Sequence, residues 1–255
     1  MPSAEETQLV KDFVCDHLSR VRELSILTWP AVRVDLNDIF MAPAPLLETL
    51  SVTGMDWNAF RAVDFNLGDY YPGLKRLKIF RHSLKWGSQS IRGLRVLVPG
   101  YIHRDYQPTI SALIAILYGC PALAILSLNE AGPVPDTQQA SGSIGPVNLP
   151  YLQELNLTLD AEACAFFLSH MAVPSTLRWN IYCTSRISED VREVIPRSQP
   201  GHIICTSLTI TFSPVNSEFC ANIHPVGEEC SVIKTSLEMH SNSGLESKVW
   251  FSFCA

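Results

Sequence analysis

The sequence predicts an α/β fold in which short parallel strands, stacked in chain order, form the curved inner side and helices and loops form the outer side. Three observations support this prediction. The chain has 255 residues, of which 47% are apolar and 17% charged, so it can bury a substantial core. A short apolar motif recurs at intervals of 20 to 29 residues. Within each copy, core positions alternate with displayed positions at the spacing of a β-strand.

The motif reads Pro-x-Leu-x-x-Leu-x-(Leu/Ile/Val), with four clean copies and four looser ones. In chain order the copies span residues 21–26, 45–52, 72–79, 94–98, 121–128, 150–157, 174–181 and 205–210. The proline suits a strand entrance, because it cannot continue a helix and its missing N–H costs least at the first residue of a strand. The interval is that of leucine-rich repeats. We therefore predict a leucine-rich-repeat solenoid of about eight irregular repeats over residues 1–213.

The segments between the strands predict helices that cover the outer side of the core. In the first, Ser3 and Glu6 form a capping box, and an apolar stripe from Leu9 to Leu18 follows at helical spacing. The further predicted helices span residues 109–118, 160–171 and 188–194. Residues 130–148 are rich in Gly, Pro, Ser and Gln and predict a loop.

The repeat fades after Pro214, and the remaining segment, 214–255, predicts a C-terminal capping β segment. Residues 231–240 and 248–254 are strand candidates on either side of a hairpin-type connection at 241–244. A solenoid needs such a cap, because its last repeat otherwise leaves an apolar face and a strand edge in water.

Neighbouring strands place their displayed positions side by side, and we take these positions as candidate contacts for a protein partner. The candidates are Arg76, Lys78, Phe80, Ile125, Ser127, Asn129, Glu154, Asn156, Thr158, Arg178, Asn180 and Tyr182. The first three belong to a basic run that also contains Lys75, Arg81 and Lys85. Such a run with an aromatic residue can anchor an acidic or phosphorylated peptide. The alternative is an ordinary solvated face with no dedicated partner.

No motif predicts catalysis, a cofactor or a metal. The net charge of −6 argues against nucleic acid as a partner. Residues 141–145 lack the first glycine of a nucleophile elbow, and no glycine-rich loop followed by lysine is present. Cys220, His224, Cys230 and His240 do not have the spacing of a standard zinc site. A hydrolase remains only a formal alternative.

The cysteines and the N-terminus favour a cytoplasmic or nuclear protein. The eight cysteines contain no C-x-x-C pair, which is typical of reduced thiols. No apolar stretch follows a basic start at the N-terminus. The uncharged run 106–129 has the length of a membrane span. It is interrupted at residues 119–121 by Gly-Cys-Pro and contains repeat units, so no membrane span is predicted.

Segments 17–24, 44–50 and 119–123 resemble the repeat region of fungal F-box/leucine-rich-repeat proteins, and the resemblance extends over residues 16–210. It implies a protein-interaction module that recognises substrates for a cullin-type ubiquitin ligase. A Skp-type adaptor is implied as a partner only if an F-box lies upstream, because residues 1–20 do not match one. The alternative is a stand-alone or truncated leucine-rich-repeat scaffold with no ubiquitin role.

Overall fold

A computed structural model describes most of the chain's residues. These are residues 4–28, 37–55, 61–65, 71–84, 86, 91–134, 145–159, 161–183, 205–213, 218–225, 234–240 and 246–252. The chain divides into two compact units, residues 1–139 and 140–255.

The helices are short, and three of them occur where the sequence predicts them. They are α1 (Ala4–His17), α2 (Asn37–Met41), α3 (Ile110–Tyr118) and α4 (Ala161–Ser169), with 3₁₀ turns at Leu18–Arg20 and Arg104–Tyr106. Helices α1, α3 and α4 confirm the predictions, whereas α2 was not predicted. Thr109 caps α3, because its hydroxyl oxygen accepts from the backbone N–H of Ala112 at 3.2 Å. The helix predicted at 188–194 lies outside the described residues.

The first unit contains a five-stranded sheet in which every neighbouring pair is parallel. Its strands, in order across the sheet, are β1 (Glu23–Thr28), β2 (Thr49–Gly54), β4 (Arg76–Phe80), β6 (Val96–Gly100) and β7 (Ile125–Asn129). A separate pair consists of β3 (Arg61–Phe65) and β5 (His82–Leu84). The α/β class and the stacking of these strands in chain order are confirmed for this unit.

The second unit combines parallel and antiparallel pairs. Its strands are β8 (Val147–Asn148), β9 (Glu154–Leu159), β10 (Met171–Ala172), β11 (Arg178–Cys183), β12 (Cys205–Ser213), β13 (Glu218–Pro225), β14 (Lys234–His240) and β15 (Glu246–Ser252). Strands β9 and β11 pair in parallel, as do β8 and β10. Strands β14 and β15 pair antiparallel and lie at the two C-terminal strand candidates, and the predicted connection at 241–244 lies outside the described residues.

The repeat copy at 205–210 forms a strand, but this strand does not extend the parallel stack. Strand β13 lies between β11 and β12 and is antiparallel to both. Strands β12 and β13 are separated by only residues 214–217. So short a connection permits an antiparallel neighbour, whereas a parallel one needs a crossover of about a dozen residues.

The alternation of apolar residues fixes the register of the parallel strands. One row across the first unit's sheet consists of Leu24, Leu50, Leu77, Leu97 and Leu126. Leu24 in the edge strand is half-buried, and the other four are at most 1% exposed. A slip of one residue would turn this whole row to the opposite face of the sheet.

The sequence suggested that the motif prolines occupy the first residue of each strand. In the structure they lie instead in β-turns ahead of the strands. In the four clean copies, the N–H two residues after the proline donates to the carbonyl before it, as Leu74 donates to Tyr71 at 3.1 Å. Proline is thus the second residue of the turn, where its fixed φ is favourable. The turn delivers the first core leucine of each copy, which is buried in all four.

Consecutive copies are also joined by a repeated hydrogen-bond arrangement at the strand entrances. One backbone carbonyl accepts from two successive N–H groups of the next copy. The carbonyls that do so belong to Arg22, Glu48, Lys75 and Arg95, with donor to acceptor distances of 2.7 to 3.1 Å. These bonds satisfy backbone groups ahead of the strands and hold the copies in register.

Candidate functional site

The parallel sheet of the first unit has one covered face and one displayed face. Leu50, Val52, Leu77 and Ile79 represent the covered face and are at most 2% exposed. On the other face, the side chains of β1, β2, β4 and β6 are exposed or half-buried, and this face also contains the buried Gly100 that ends β6. We call this second side the displayed face.

Parallel pairing arranges the displayed side chains in rows that run across the strands. Within a row, residues on neighbouring strands lie about 4.8 Å apart. The first row contains Glu23, Thr49, Arg76, Val96 and Ile125. The second contains Ser25, Ser51, Lys78 and Val98. The third contains Leu27, Thr53, Phe80, Gly100 and Asn129. The structure therefore brings the predicted contacts of β4 and β7 onto one face.

These predicted contacts differ in how accessible they are to a partner. Arg76 and Lys78 are exposed, while Phe80, Ile125 and Asn129 are half-buried. Ser127 is only 6% exposed. It has the shortest side chain of the three predicted contacts on β7, so Ile125 and Asn129 present most of that strand's accessible surface.

The predicted contacts of the second unit form a second group on β9 and β11. Residues 154, 156 and 158 lie directly opposite 178, 180 and 182. Arg178 is exposed and the other five are half-buried. The Asn180 amide donates to Asn156 Oδ1 at 2.5 Å, and the Asn156 amide donates to Glu154 Oε1 at 2.8 Å. This chain of hydrogen bonds fixes the orientation of both amides.

The five cations of the basic run differ in whether they have an ion-pair partner. Lys75 Nζ lies 3.0 Å from Glu48 Oε1. The hydrogen bond from Lys75 and the Lys75 charge lower the pKa of Glu48. Arg76 and Lys78 have no ion-pair partner among the described residues. Lys85 lies outside the described residues.

Phe80, a predicted contact, and Arg81, a member of the basic run, group with Tyr101 at the ends of β4 and β6, and this grouping was not predicted from the sequence. Arg81 directly follows β4 and Tyr101 directly follows β6, with φ of 57° and 54°. The Tyr101 ring centroid lies 6.5 Å from that of Phe80 and 5.5 Å from Arg81 Cζ. Arg81 also donates to the Gly54 carbonyl at 3.3 Å. We call Phe80, Arg81 and Tyr101 the aromatic corner.

Gly100 makes room for this corner. A Cβ at Gly100 would lie 2.6 Å from two atoms of the Phe80 ring, which is far inside van der Waals contact. The Phe80 ring therefore lies over the glycine backbone of the next strand. A glycine at a displayed strand position was the one sequence signal that could have indicated this close approach.

The described residues hold no metal-binding cluster of three or more His, Cys, Asp or Glu side chains. Of the four residues considered above as zinc ligands, Cys220 and His224 lie on β13 and His240 lies on β14, while Cys230 falls outside the described residues. Within the same described ranges, we find no helix with the length and hydropathy needed to span a membrane.

No protein-family model, curated protein or solved structure matches this chain.

Proposed function

We propose that this chain is a protein-binding module that holds a partner on the displayed face of its repeat strands. In this proposal the chain is a leucine-rich-repeat solenoid that resembles the substrate-recognition repeats of an F-box subunit of a cullin-type ubiquitin ligase. A ligase role further requires a Skp-type adaptor and an F-box to bind it.

The observation that carries the proposal is the unequal covering of the two faces of the first unit's sheet. One face is packed with buried aliphatic side chains. The other presents rows of mixed chemistry, including Leu27 at 53% exposure, the exposed cations Arg76 and Lys78, and half-buried Val98. Repeat proteins use such extended faces for binding.

The composition of this face also suits a protein partner. Protein interfaces combine apolar or aromatic contacts with a polar rim, and arginine and aromatic residues dominate their energetics. The displayed face offers Arg76 and Phe80 on one strand and aliphatic side chains on the next. The hydrogen-bonded Glu154, Asn156 and Asn180 of the second unit present a separate oriented polar set.

Site-specific photo-cross-linking in native cells tests the proposal. A photoreactive amino acid is placed at Ser51 or Val98 on the displayed face, and at Arg104 as a matched exposed control in the 3₁₀ turn. We expect the two face positions to cross-link to the same protein and the Arg104 position not to. Equal cross-linking from Arg104, or none from either face position, would refute binding at this face.

The ubiquitin arm is tested separately by affinity purification and mass spectrometry, with the chain expressed alone and with its natural upstream coding region. We expect a Skp-type adaptor and a cullin only when the upstream region is present. If cross-linked partners are recovered and the adaptor never is, the stand-alone scaffold is the correct alternative and the ligase role is wrong.

A further inference from the structure

We propose that the displayed face binds an acidic segment of its protein partner along β4, with Arg76 and Lys78 contacting carboxylates and the aromatic corner receiving a neighbouring apolar side chain. This inference rests on the proposed protein-binding function and names the chemistry of the partner. It follows from the charge of β4, the apolar surface beside it and the spacing between the two cations.

The neighbours of Arg76 and Lys78 on the displayed face are uncharged. Lys78 lies between Ser51 on β2 and Val98 on β6, and Arg76 lies between Thr49 and Val96. None of these four neighbours is charged. The nearest displayed carboxylate in the Arg76 row is Glu23, two strands away, which is about 10 Å at the usual strand spacing.

The neighbouring Glu48 does not neutralise these cations, because it is already paired. Its carboxylate is 3.0 Å from Lys75 Nζ, and Arg76 contributes only a weaker charge effect on its pKa. A chain with a net charge of −6 therefore keeps two adjacent exposed cations with no ion-pair partner among the described residues. Opposite charge in the partner is the complement of this arrangement.

An apolar surface lies next to these cations and distinguishes a peptide from a simple polyanion. Val96 and Val98 of β6 are half-buried, and the Phe80 and Tyr101 rings lie 6.5 Å apart at the end of β4. Tyr101 is 37% exposed. A carboxylate-bearing segment with apolar residues can bury part of this surface, whereas a simple polyanion such as polyphosphate has no apolar side chain to place there.

The spacing of the cations predicts the spacing of the acidic residues. Arg76 and Lys78 are two residues apart on a strand, so their Cα atoms are about 6.6 Å apart. In an extended peptide, residues i and i+2 point to the same side with nearly the same separation. We therefore expect acidic residues at alternate positions, followed by an apolar residue at the aromatic corner.

Fluorescence anisotropy with the full chain tests this inference directly. The probe is a short fluorescein-labelled peptide in which glutamate alternates with serine and a leucine ends the repeat, and its control replaces each glutamate with glutamine. We expect the glutamate peptide to bind at least about tenfold more tightly than the glutamine peptide, the usual scale for one or two charge-assisted contacts.

Three variants locate the binding. Lys78→Glu should weaken glutamate-peptide binding by about tenfold or more, and Lys78→Arg should leave it within about threefold. The control Arg104→Glu makes the same charge change at an exposed position outside the face and should have no effect. Lys78→Glu should also gain affinity for a matching lysine peptide, and Arg104→Glu, which makes the same change in net charge, should gain less, so that the gain is located on the face.

Equal binding of the glutamate and glutamine peptides, an effect of Arg104→Glu as large as that of Lys78→Glu, or no binding at all would overturn the inference. These outcomes are separable from failure of the proposed function. If Ser51 and Val98 still cross-link to a partner in cells, protein binding stands and only the acidic chemistry is wrong.

Discussion

Replacing Glu130 with glycine should leave the protein more stable than replacing it with alanine. Glu130 follows β7 with φ of 49°, as Arg81 follows β4 and Tyr101 follows β6. The Glu130 side chain is exposed. Its carbonyl accepts from the N–H of Ile102 and from the Gln107 amide, each at 3.2 Å. Neither substitution removes these bonds, because both involve only the backbone oxygen.

The expected magnitude follows from the backbone alone. Both substitutions delete the same exposed side chain, but alanine keeps the Cβ that makes left-handed φ unfavourable by about 1–2 kcal/mol. Glycine avoids that cost and loses about 0.5–1 kcal/mol through the greater freedom of the unfolded chain. We therefore expect Glu130→Gly to exceed Glu130→Ala in unfolding free energy by about 0.5–1 kcal/mol.

Equilibrium urea unfolding of the full chain, followed by circular dichroism, measures this difference. Ala115→Gly is the matched control, because Ala115 is an exposed residue inside helix α3. Glycine there should lower the unfolding free energy by about 0.8–1 kcal/mol. The two positions should thus respond to glycine with opposite signs. If Glu130→Ala is as stable as Glu130→Gly while the helix control behaves as expected, the left-handed assignment at Glu130 is wrong.

Three further outcomes are expected. Leu77→Ala should lower the unfolding free energy by about 3–5 kcal/mol in urea, because Leu77 is completely buried. Tyr71 donates to the Phe40 carbonyl at 3.0 Å, so Tyr71→Phe should lower the unfolding free energy by about 1 kcal/mol. Burial raises the pKa of Tyr71, so in an ultraviolet pH titration of the native protein Tyr71→Phe should remove a phenol that ionises at higher pH than it does in the unfolded chain. Lys75 lowers the pKa of Glu48. The ionised carboxylate therefore contributes stability above its unfolded pKa, and this contribution is lost as the pH falls. Because Glu48→Gln lacks the carboxylate, its unfolding free energy should fall less than that of wild type between about pH 5 and pH 3.

The parallel strands of the first unit could be predicted because one physical constraint determines both their position and their register. Leu50, Leu77 and Leu97 occur at the same place in successive copies and are all at most 1% exposed. Burial of one face fixes which residues point inward, and the same alternation fixes the outward ones. The candidate positions on β4 followed directly from it.

The direction of β12 could not be predicted from that alternation. Its residues keep the repeat frame, yet the strand pairs antiparallel with β13. A period of two is the same in a parallel and an antiparallel strand. Pairing direction depends on the connection, and the repeat motif at 205–210 contains no information about the strand that follows it.

The grouping of Phe80 and Arg81 with Tyr101 could not be predicted from the sequence for a different reason. Arg81, Tyr101 and Glu130 have left-handed φ without being Gly, Asn or Asp, so local propensity argues against their conformation. The conformation is imposed by neighbouring copies. The Arg81 N–H donates to the Gly100 carbonyl at 2.9 Å, and the Tyr101 N–H donates to the Asn129 carbonyl at 2.6 Å. Bonds between residues 19 to 28 positions apart are not readable from a local pattern.

The basic run shows how strand geometry changes the meaning of a linear cluster. Five cations occur between residues 75 and 85, but Lys75 is paired with Glu48 and Arg81 lies at the corner beside Tyr101. Only Arg76 and Lys78 are exposed on the displayed face of β4. Two exposed cations supply steering and modest affinity. Selectivity at this site must therefore depend on the apolar contacts of Phe80 and Tyr101 at least as much as on charge.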